Sequence, residues 1–192
     1  MLIPLYFKNI YWTKFNYMGI LLKRDIPVKR KVFFSFHFEK DFWRTQQVRN
    51  IGSIEKNSVA TPNNWEEIKR KGDTSIKNWI DTNLSGKSCL VVLVGEGTAN
   101  RKWIDYEIKK AWDSGKGVVG IRIHNLNNQQ GKQSKAGKNP FEGFTLCEGK
   151  KKLSNVVKLK SPTQVTGPGV YKNIADNLGA WIEEAIKIRK EF

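Results

Sequence analysis

A chain of 192 residues, 39% hydrophobic and carrying seven tryptophans, can build one domain with a substantial core, which excludes intrinsic disorder and any need for covalent staples. Two cysteines (Cys89, Cys147) in no metal-ligand spacing and two histidines (His37, His124) exclude a disulfide framework and a multi-histidine centre, so a reducing, cytoplasmic setting with no metal is expected. The formal charge of +16 would suit a nucleic-acid binder, but no helix-turn-helix, RRM or zinc spacing accompanies it, and no specific nucleic-acid partner is expected.

Residues 1–30 carry six Lys/Arg against one Asp and read as a basic, aromatic N-terminal extension ahead of a domain over residues 31–192. Lys8, Asn9, Lys14 and Asn16 interrupt its apolar positions, and the longest clean run, Met1–Phe7, contains Pro4. A transmembrane segment needs roughly 20 apolar residues, so neither a span nor a secretory signal is expected. Three readings of the extension stay open: a helix docked on the domain, an interfacial basic-aromatic anchor, or an upstream stretch before a start at Met18.

The first strand signal is Val32-Phe33-Phe34-Ser35-Phe36, followed by helical spacing from about Lys40 to Asn50. Residues 51–66 carry no single signal; Ile54 and Val59-Ala60 are candidates for a short strand, and Pro62-Asn63-Asn64 marks a turn. Asp73 reads as the N-cap of a helix bearing Ile76, Trp79, Ile80 and Leu84, with Gly86 ending it. The run Cys89–Val94 is continuously apolar, as in strands covered on both faces of a parallel sheet. A helix from about Lys102 to Asp113 then leads to a second covered strand, Val118–Ile123. Residues 131–160, with eight Lys against two Glu, read as an elaborated basic loop region in which Val156-Val157-Lys158-Leu159 is a candidate edge strand. An amphipathic helix over about Tyr171–Lys190 closes the pattern. Strands alternating with helices predict a doubly wound α/β domain.

In such sheets ligands bind beyond the carboxyl ends of the strands, at a topological switch point. That rule selects the loops after Phe36, Val94 and Ile123. Glu107, one helical turn after Trp103, is the carboxylate of interest there. From spacing alone the leading reading is a solvated helix glutamate paired with Lys110 or Arg101. Two other motifs fail. Gly95-Glu96-Gly97-Thr98-Ala99-Asn100 ends in Asn rather than Gly, and Gly86-Lys87-Ser88 precedes a strand instead of opening a helix.

The segment Val32-Phe33-Phe34-Ser35-Phe36-His37 resembles the first strand and following loop of TIR domains. Trp103-Ile104-Asp105-Tyr106-Glu107 is similar to the Trp-x-x-x-Glu segment of NAD-cleaving TIR domains, and residues 111–121 continue the likeness in register. Asn100-Arg101-Lys102-Trp103 and Gly137-Lys138-Asn139-Pro140-Phe141 narrow the resemblance to the TIR-like subunit of the bacterial Thoeris anti-phage system, over about residues 31–145.

What the resemblance implies is a flavodoxin-like sheet of about five mostly parallel strands with helices on both faces. It also implies an enzyme that cleaves the nicotinamide–ribose bond of NAD+, as substrate rather than cofactor, to make a cyclic ADP-ribose-type signal read by an effector protein. Glu107 would be catalytic; Ser35, Phe36, His37, Phe38, Trp65, Trp103 and Tyr106 would bind substrate, with Trp65 and Glu66 in a loop after the second strand. A phage-derived trigger and self-association are further implied. A non-catalytic TIR-like adaptor is the alternative on the same fold.

Overall fold

The apolar runs of the sequence become the sheet, because only strands covered on both faces can bury every residue in sequence. The computed structural model describes residues 29–52, 54 and 62–192; the extension up to residue 28 and the candidate strand pair Val59-Ala60 lie outside the described residues. In chain order the strands are β1 (Val32–Ser35), β2 (Cys89–Val94), β3 (Gly117–Arg122), β4 (Thr145–Leu146), β5 (Lys151–Lys152) and β6 (Leu159–Lys160). The helices are α1 (Phe38–Arg49), α2 (Pro62–Arg70), α3 (Asp73–Leu84), α4 (Lys102–Asp113) and α5 (Gly167–Lys190).

Four strands form one parallel sheet in the order β1-β2-β3-β6. Val32 to Ser35 pair with Cys89 to Val92, and Cys89 to Val94 pair with Gly117 to Arg122. A parallel bridge between Arg30 and Ile54 lies outside the strands. The expected sheet of about five strands is therefore four strands and one bridge among the described residues. The chain leaves β1 toward Ile54 and returns to β2 on the other side, which puts the switch point between β1 and β2.

Strand residues alternate between two apolar layers. Val32, Phe34, Val91, Leu93 and Val119 pack with Val48 of α1 and with Val170, Ile174, Leu178 and Ile182 of α5. Phe33, Leu90, Val92, Val94 and Val118 pack with Leu84 of α3 and with Ile104, Ile108 and Ala111 of α4. Gly117 lets α5 approach the sheet closely, since a Cβ there would lie 2.7 Å from the Ile186 nitrogen.

Several boundaries differ from the sequence reading for local reasons. Helix α1 begins at Phe38 because His37 caps it, and Pro62-Asn63-Asn64 is the first turn of α2, where proline is tolerated at the opening position. Gly72 holds the cap position of α3, so Asp73 is its first helical residue. Helix α5 starts at Gly167 because Thr166 accepts a hydrogen bond from Gly169 N–H and Pro168 sits in the first turn. Within residues 131–160, β4 and β5 pair as a hairpin. Leu153, Val156 and Val157 are buried with Phe141 against the α4 layer, so pairing with β3 begins only at Leu159. Among the described residues no helix is long and apolar enough to cross a membrane.

Candidate active site

The period-2 alternation of β1 decides what meets the carboxylate. Phe33 faces the α4 layer, so Ser35, two residues on, faces it too. On α4 the residues turned to the sheet are Ile104, Glu107, Ile108, Ala111 and Trp112. Glu107 thus sits on the apolar face of its helix, 7% exposed. It makes no ion pair among the described residues, and the solvated pairing with Lys110 or Arg101 does not occur; Lys110 pairs with Asp81 instead. Burial pushes the Glu107 carboxyl up to about 8. The buried Ser35 hydroxyl beside it acts in the opposite direction and lowers it.

Glu107 opens into a cleft of about 390 Å³ at the carboxyl ends of β1 and β2. Phe36, His37 and Phe38 line it from the β1–α1 junction, Trp65 and Lys69 from α2, Ile76 from α3, and Arg101 to Ile104 from the start of α4. The aromatic rings form a continuous wall. Phe38 stacks on Phe36 at 5.8 Å and on Trp65 at 5.7 Å, and Trp65 meets Trp79 edge-on. Trp103 lines the opposite side, with Lys102 Nζ 4.8 Å above its ring.

His37 is buried rather than exposed, at 6%. Its Nδ1 accepts from Lys40 N–H at 3.4 Å and its Nε2 meets the Arg101 guanidinium. Burial first, and the Arg101 charge second, hold its pKa below the usual histidine value, so the ring is neutral near pH 7.

Six of the eight expected site residues therefore share one cleft: Phe36, His37, Phe38, Trp65, Trp103 and Glu107. Ser35 lies behind Glu107 in the sheet. Tyr106 does not face the cleft. It is three residues from Trp103, its hydroxyl donates to Asp81 at 2.7 Å, and its pKa is pushed up to about 12 by burial and that bond. Trp65 stands on a helix rather than in a loop, and Glu66 pairs with Lys69 outside the cleft lining. Sequence reasoning missed Arg101, Lys69 and Lys102. The position of Arg101 directly before a predicted helix at the sheet's rim was a usable signal; Lys69 had none while α2 read as a turn.

A four-stranded parallel sheet covered by helices on both faces defines a doubly wound α/β domain, here with a buried carboxylate beside the switch point. Residues 33–128, half of the chain, match the model of the family described as Thoeris protein ThsB, TIR-like domain, and the chain belongs to that family. It is also 35% identical over 119 residues to a Bacillus cereus (strain MSX-D12) protein named "Putative cyclic ADP-D-ribose synthase ThsB1". The match covers 59% of this chain and 62% of that relative, so the chain spans less than two thirds of the relative's length.

Proposed function

We propose that this domain cleaves the nicotinamide–ribose bond of NAD+ and closes the remaining ADP-ribose into a cyclic signal. The observation that carries the reading is Glu107, a buried carboxyl with no cation partner among the described residues, facing an aromatic-walled cleft. A module that only bound partners would gain nothing from holding such a group in its helix–sheet interface, where burial without compensation is unfavourable.

The chemistry fits that group. As the C1′–N bond breaks, its electron pair leaves with nicotinamide and positive charge spreads over the ribose as an oxocarbenium. A carboxylate beside the sugar stabilises that charge. The incoming nicotinamide ring is itself cationic, so its arrival favours ionisation of Glu107. An adenine nitrogen then attacks C1′ with its lone pair, or a ribose hydroxyl attacks and passes its proton to the Glu107 carboxylate, while Phe36, Phe38 and Trp65 exclude the water that would give a linear product. The name of the Bacillus cereus relative supports this reaction class. The product then reaches an effector protein without direct contact.

Chromatography of the products from NAD+, with and without extract of phage-infected cells, tests the proposal. Nicotinamide together with a cyclic ADP-ribose isomer is expected. Linear ADP-ribose alone would restrict the activity to hydrolysis, and unchanged NAD+ under both conditions would favour the adaptor.

A further inference from the structure

At the mouth of the cleft two donors compete for one acceptor. Arg101 stands just before α4, gives its Nε–H to the Gly97 carbonyl at 3.3 Å, and turns a terminal nitrogen to His37 Nε2. The neighbouring lysines have carboxylate partners, Lys69 in Glu66 and Glu39, Lys102 in Asp73. Arg101 has none among the described residues. A neutral imidazole offers one lone pair and one N–H. Its Nδ1 already meets the Lys40 N–H at 3.4 Å, so both ring nitrogens face donors and one donor is left unmatched. Protonating His37 would set two cations against each other. An anionic oxygen resolves the conflict, because it accepts from the guanidinium and from the imidazole N–H together.

We infer that Arg101, with His37 beside it, binds the pyrophosphate of a dinucleotide substrate and is the residue that selects phosphorylated substrates. This rests on the NAD+ reading above. Glu107 lies six positions after Arg101, about 9 Å of helix rise, and both line the same cleft. That separation suits a ligand whose reacting sugar carbon lies one ribose away from its phosphates. The planar guanidinium fork matches two phosphate oxygens at once, which a lysine in its place could not do.

The test compares NAD+ with nicotinamide riboside, which has the same scissile bond and no phosphate. In Arg101→Gln the preference for NAD+, taken as the ratio of the two kcat/KM values, should fall at least tenfold, with Arg101→Lys intermediate. An unchanged ratio overturns the inference. A second arm does not depend on turnover. Calorimetry with inorganic pyrophosphate should give binding to the wild-type protein that weakens at least tenfold in Arg101→Gln, with thermal unfolding showing both folded. Equal binding by both proteins, or none by either, overturns the assignment even if no nicotinamide is ever released.

Discussion

Glu107 occupies a place in the helix–sheet interface that an aliphatic side chain would fill at lower cost. Its pKa of about 8 makes that cost measurable. Below the ordinary carboxylate range both folded and unfolded chains carry the proton, and the group is neutral in its buried position. As pH rises from about 4.5 toward 8 the unfolded state ionises first, so the native state loses stability, and the loss levels off above the folded pKa. Glu107→Gln should therefore gain stability over wild type with rising pH, by roughly 2–5 kcal/mol above pH 8. Chemical denaturation at pH 5 and pH 9 checks this; a constant difference would mean the carboxyl is not buried in solution. Catalysis carries the same signature. If the ionised form assists departure of nicotinamide, kcat/KM for NAD+ rises with pH up to about 8. Ser35 lowers the Glu107 pKa, so Ser35→Ala should move the rising limb to higher pH. A pH–rate profile unmoved by that substitution would remove Ser35 from the site's electrostatics.

Elements determine how closely those side chains can be held. The contact between β3 and α5 depends on the missing side chain at Gly117, where an added Cβ would lie 2.7 Å and 2.9 Å from backbone atoms of Ile186 and Ala185. Gly117→Ala should cost about 1–3 kcal/mol, or roughly 2–4 °C in Tm for each kcal/mol in a chain of this size. Gly143→Ala, where a Cβ meets nothing within 4 Å, should change stability by less than about 0.5 kcal/mol. Equal Tm values for the two variants would contradict this packing. The elements legible in the sequence were those whose signal is local and repeated. Strand β2 is six apolar residues in a row, and α4 shows its buried stripe at Ile104, Ile108 and Ala111. Helix α2 was hidden because Pro62-Asn63-Asn64 carries turn chemistry and Trp65 is held by a distant ring, Phe38. Tyr106 was named through the resemblance of Trp103–Glu107 to the Trp-x-x-x-Glu segment, and its place beside Glu107 in the chain does not fix which side of the helix it takes. Only the partner, Asp81 on α3, decides that.

At the scale of the whole molecule, the charge of +16 far exceeds what the cleft contributes, where Lys69, Arg101 and Lys102 stand against Glu39 and Glu107. Lys150, in the turn of the β4–β5 hairpin, and Lys151 and Lys152, its second strand, are exposed, whereas the candidate site collects beside β1 and β2. The protein should attract polyanions without reading them. Fluorescence anisotropy with two unrelated DNA duplexes should give equal affinities that fall about tenfold or more between 50 and 200 mM salt. A preference for one sequence that persists at the higher salt would reveal a specific partner that the fold does not explain.

The most direct test of the account is the rate of nicotinamide release from NAD+ by the wild-type chain and by Glu107→Gln, purified in parallel and shown by circular dichroism to share one fold. If a buried carboxylate stabilises the departing ribose cation, the glutamine variant loses about 100-fold or more of the activity. Equal rates in the two proteins would remove Glu107 from the reaction and leave a TIR-like fold whose chemistry, if any, lies elsewhere.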